Sequence, residues 1–122
     1  MTPREAALHG VRVGDIFYAL SRRDKAPLIC LTTAVTETTI CGRTVTQGYD
    51  FTFDRWTGEG SGLAGVTRAT ILSAEKLPPE MHEALLSLDR KRLNWDGPLS
   101  AAQKRALVFI ADFYPAHPLP AA

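Results

Sequence analysis

Between residues 11 and 73 the apolar positions come in short β-branched and aromatic blocks separated by turn formers; beyond residue 79 they take up the spacing of helices. The clearest block is Tyr49-Asp50-Phe51-Thr52-Phe53-Asp54. Its three aromatic residues share one face at period two and predict a half-buried strand. Residues 16–20 and 28–35 are apolar and branched enough to predict two more strands. After a corner near Thr36, Thr38-Thr39-Ile40 runs into Cys41-Gly42, an X-Gly pair that predicts a tight hairpin. The next strand would leave that turn over 43–47, with Gly48 marking a bulge. Residues 56–65 read as a glycine-rich loop, and alternation resumes over 66–73. About five strands joined by short turns predict a small antiparallel β-meander or a partly open SH3-like barrel.

The helical signals flank this region. Thr2-Pro3-Arg4-Glu5 fits a capping box with proline at the first helical position, predicting a short helix over 3–9 that Gly10 stops and that lies as a lid on the sheet. Pro79-Glu80 opens a helix over 79–93 with Met81, Ala84, Leu85 and Leu88 as its apolar stripe, and residues 94–98 break it. Ser100-Ala101-Ala102-Gln103 is a second capping box ahead of a helix over 101–113. That helix has a wide apolar face, which predicts docking on the barrel together with self-association or a protein contact through Leu107, Ile110 and Tyr114. Three prolines in residues 115–122 predict an irregular, mobile tail. The class is α+β, in one domain over 1–122: a β region at 11–73 and a helical region at 79–114.

Composition changes this picture little. With 122 residues, 45% hydrophobic and 22% charged, the chain is long enough to bury a core without metals or disulfides. A net charge of +1 announces neither a nucleic acid nor a membrane. Residues 1–20 lack the layout of a secretory signal and no apolar run is long enough to span a bilayer, so the expectation is a cytoplasmic protein with Cys30 and Cys41 reduced.

Gly60-Ser61-Gly62-Leu63-Ala64-Gly65 spells the dinucleotide-binding string, but β-forming residues follow where a helix N-terminus would have to receive the pyrophosphate. The string reads as a hairpin loop, and no cofactor is expected. His9, His82 and His117 are scattered, and Cys30 and Cys41 lack metal-binding spacing, so no metal site is expected. Asp50 and Asp54 lie on one strand face too far apart to share a proton, and Asp54 is placed to hold the turn at Trp56-Thr57-Gly58. The candidate catalytic set is empty. Arg55-Trp56 is the most suggestive surface pair, because a guanidinium beside an aromatic can anchor a protein contact or stack on a base.

The segments Thr38-Thr39-Ile40-Cys41-Gly42-Arg43, Phe53-Asp54-Arg55-Trp56-Thr57-Gly58-Glu59-Gly60 and 68–73 together resemble an arrangement in small uncharacterised phage and prophage proteins. The resemblance covers about 35 residues of turn chemistry and implies a bacterial or phage cytoplasmic context, with no activity to carry over. Two function classes remain in front. One is a non-catalytic binding or adaptor module acting through protein contacts at Arg55 and Trp56 or on the last helix. The other is a nucleic-acid-binding barrel using Arg22, Arg23, Lys25, Arg43, Arg55 and Arg68 for phosphates and Trp56 or Tyr18 for stacking. An enzyme is the third reading, and no acid, base and nucleophile set supports it.

Overall fold

The computed structural model describes residues 1–94 and 97–121. Helix α1 (Pro3–His9) precedes six strands, β1 (Ile16–Ser21), β2 (Pro27–Val35), β3 (Thr39–Thr44), β4 (Asp50–Asp54), β5 (Glu59–Gly62) and β6 (Thr67–Ser73). Helices α2 (Pro79–Asn94) and α3 (Ala101–Ala116) follow. Each strand pairs antiparallel with its neighbour in sequence, and β1 also pairs with β6, so the meander closes into a barrel. The expected α+β small barrel with two C-terminal helices is therefore present, with six strands rather than about five and no open edge. Of the expected break over 94–98, residues 95 and 96 lie outside the described residues.

Two apolar clusters hold the fold. Phe17, Ala19, Cys30, Ile40, Phe51, Phe53, Ala69 and Ile71 fill the barrel, and Leu8 of α1 with Val11 joins them from one end. Outside the wall, Ile16 and Tyr18 meet Ala84, Leu85 and Leu88 of α2 and Ala106, Ile110 and Tyr114 of α3. β1 is thus covered on both faces, which explains its unbroken apolar run in place of alternation. The Asp89 carboxylate of α2, almost fully buried, accepts hydrogen bonds from Arg43 of β3 at 2.8 and 3.1 Å and from Arg92 at 3.2 Å, tying α2 to the barrel.

Several turns fall elsewhere than the sequence suggests. Cys41-Gly42 is the middle of β3, not a hairpin, and the turn lies at 36–38, where the Thr36 N–H donates to the Thr39 carbonyl at 2.9 Å. Gly42 is there because the Phe17 ring lies against it: a Cβ would sit 2.8 Å from Phe17 Cζ. The β3–β4 turn closes at Gly48, so that residue is no bulge. The glycine string supplies the uncounted strand, since Gly60 and Gly62 sit under Phe53 and Phe51 in β4 and β5, where a Cβ would come within 2.7 Å of either ring. Tyr49 precedes β4 and is exposed, so only Phe51 and Phe53 of the expected aromatic face are core. The tail is tied down: the Leu119 N–H donates to the Leu72 carbonyl at 2.7 Å, the Ser73 hydroxyl donates to the His117 carbonyl at 2.6 Å, and Leu119 packs against the barrel cluster.

Candidate functional site

The strand order gives the barrel two ends of different character. At one end lie α1, the turn at 36–38 and the turn after β4, and this end is sealed. Its closure is the work of Arg55, which is buried and donates to the carbonyls of Thr36 at 2.6 Å, His9 at 2.9 Å and Val11 at 3.0 Å. Asp54 holds the adjoining turn as expected, its carboxylate accepting from the Trp56 and Thr57 amides at 2.7 and 3.0 Å. Trp56 is half exposed there and packs edge-on against His9, with ring centroids 4.3 Å apart. The expected Arg55 and Trp56 recognition pair is corrected: the guanidinium is consumed as an internal clamp, which leaves the indole, backed by His9, as the exposed member of the pair in an open surface hollow outside the closed barrel end.

At the other end three hairpin turns, over residues 22–26, 45–49 and 63–66, surround a cleft of about 490 Å³. Arg22, Arg23 and Arg68 line it with Gln47, Tyr49, Leu63 and Val66, and Leu28 and Phe51 of the barrel core form its floor. A furrow along β1 and β6 adjoins it, lined by Arg4, Leu20, Arg22, Lys25, Thr70 and Leu72, so Arg22 belongs to both. Five cations and one carboxylate, Asp24, thus line the continuous surface. Asp24 faces its own turn, where hydrogen bonds from the Ala26 backbone and from Ser21 hold its carboxyl below the usual value. Arg22 meets Glu59 only loosely, at 3.8 Å with both side chains over half exposed. Arg23, Lys25 and Arg68 make no side-chain hydrogen bond or ion pair among the described residues.

The backbone singles out the same rim. The non-glycine residues with left-handed backbone among those described are Lys25, Leu63 and Ala64, with φ of 59°, 53° and 57°. All three lie in turns that border this surface. A left-handed leucine or alanine costs about 1–2 kcal/mol, and such strain concentrates at ligand sites. Nearby, Tyr49 and Leu63 are more than two-fifths exposed and Val66 is 82% exposed.

Of the residues nominated from sequence, Arg22, Arg23 and Arg68 converge with Lys25, and the others go elsewhere. Arg43 is committed to Asp89, and Tyr18 is buried in a stack on Tyr114 with centroids 5.0 Å apart. Ile110 and Tyr114 are buried against the barrel and Leu107 is half-buried, so they form no free interface; on α3 it is Val108 that is exposed. Tyr49, Leu63 and Val66 went unrecognised in the sequence, although apolar residues in a turn flanked by β-formers are a usable sign of a contact surface.

The groups an enzyme would need are dispersed. Cys30 lies inside the barrel, where burial pushes its thiol up to about 12, so it is protonated at neutral pH. His9 is at the sealed end, His82 on α2 and His117 at the close of α3, while Asp50 and Asp54 occupy opposite ends of β4. Among the described residues no three His, Cys, Asp or Glu side chains gather as a metal site, and no helix is long and apolar enough to cross a membrane. No protein-family model matches the chain, nor does any curated protein or solved structure.

Proposed function

We propose that the protein is a small non-catalytic binding module whose ligand seats at the open end of the barrel and carries negative charge. The observation that carries this reading is the gathering of Arg22, Arg23, Lys25 and Arg68 on one surface of a molecule whose net charge is only +1. Such an excess has to be local, and a local excess of exposed guanidinium groups suits carboxylates or phosphates, which arginine grips with two parallel hydrogen bonds. The rigid barrel holds the three turns in place, while the sealed end and the helices support it from the other sides.

Calorimetric titration of the protein with a panel of polyanions and matched neutral polymers tests the reading. At least one polyanion should bind, and Arg23→Glu with Arg68→Glu should weaken it by about tenfold or more, the equivalent of about 1.4 kcal/mol. Equal binding of neutral and anionic polymers, or indifference to the charge reversal, would contradict it.

A further inference from the structure

The open end is not uniformly charged, and its mixture says which kind of anion it fits. We infer that the occupant is an extended, acidic segment of a protein partner, with carboxylates on either side of an apolar side chain; this rests on reading the open end as the ligand seat. Five features favour such a segment.

The cleft and the furrow share Arg22, so their cations stretch over more surface than one small anion would occupy. A single phosphate would engage one or two of these groups and leave the others unused. Lining the same cleft as the arginines are Leu63 and Val66, exposed aliphatic side chains that share it with the buried Leu28 and Phe51. Aliphatic groups bury a leucine or phenylalanine well but give a nucleobase no flat face. Of the two aromatic rings that line the cleft, Phe51 is buried in its floor and Tyr49 alone is exposed, whereas a single strand of nucleic acid is held by successive stacking platforms. Among the described residues, the other exposed ring near a barrel end, Trp56, is on the sealed side.

The net charge of +1 also favours a short-range partner over a polyphosphate backbone, whose binding draws on a strong field and release of counterions. Finally, the barrel is closed, so a partner has no free strand edge to extend. Recognition then passes through side chains: arginine to carboxylate at the rim, and an apolar anchor over Phe51.

Fluorescence anisotropy on the full chain can separate the possibilities, using a labelled peptide with paired glutamates flanking a Leu-Phe centre and a labelled oligothymidylate. Replacing its glutamates by lysines should abolish peptide binding, and replacing Leu-Phe by serines should weaken it by about tenfold. Arg68→Glu and Val66→Asp should each weaken the parent peptide, while Val108→Asp on α3 leaves it unchanged; circular dichroism checks that each variant is folded. Tighter binding of oligothymidylate than of the peptide would overturn the inference and leave the open end standing as a polyanion site. Failure of both probes to bind while a polyanion of the calorimetric panel still does would remove the inference and leave the seat; failure of every polyanion as well would remove both.

Discussion

At the scale of single residues, arginine identity says little about role until its partners are known. Arg55 and Arg68 are alike in sequence, yet one is buried under three carbonyls and the other faces solvent with no side-chain partner. Removing Arg55 takes away three hydrogen bonds and empties a buried position, although Arg12 still donates to the His9 and Val11 carbonyls, so Arg55→Ala should destabilise the protein by roughly 2 kcal/mol. Arg55→Lys should recover little of that loss, because one ammonium group cannot reproduce the planar fork. Urea unfolding midpoints of the two variants check this, and a midpoint unchanged in Arg55→Ala would remove the clamp from the account. The strained rim makes the opposite prediction. Ala64→Gly relieves a left-handed alanine and should stabilise the fold by about 1 kcal/mol, seen as a rise in Tm. A fall in Tm would show that the turn is not strained.

At the scale of elements, α2 is held by a buried charge as well as by its apolar stripe. Desolvation pushes the Asp89 carboxyl up, but hydrogen bonds from Arg43 and Arg92 and their charges outweigh it and hold the group below its ordinary value. A carboxyl lowered on folding contributes stability above its unfolded value of about 3.9 and loses it as pH falls through the lower folded value. Asp89→Asn should therefore cost about 2–4 kcal/mol near neutrality. That cost should shrink when unfolding is measured at successively lower pH below about 4; a cost independent of pH down to 2 would exclude the ion pairs as its source. Tying of the tail is tested by Leu119→Ala, expected to cost about 1–2 kcal/mol in the same assay. Both C-terminal helices and the short α1 were legible in the sequence, because capping boxes and apolar stripes are local signals. Strand boundaries were less so wherever a glycine served packing rather than turning. Gly42 yields room to Phe17, and Gly60 and Gly62 to Phe53 and Phe51, partners on other strands that local pattern does not identify.

At the scale of the molecule, a net charge near zero conceals a division of labour among cations. Arg43 and Arg92 pin a helix, Arg55 seals one barrel end, and Arg22, Arg23, Lys25 and Arg68 are left at the other. The sequence named the last group as candidates but could not sort them from the first two, because the sorting depends on barrel closure and on which turns share an end. It also overvalued the last helix, whose Ile110 and Tyr114 serve the interior contact with the barrel. The most direct measurement is amide chemical-shift mapping by nuclear magnetic resonance during titration with a binding polyanion. Perturbations should concentrate at residues 22–26, 47–49 and 63–68, which the barrel brings to one end, and should be lost in the Arg23→Glu and Arg68→Glu double variant. Perturbations centred on Trp56 at the sealed end, or on Val108 of α3, would contradict the account.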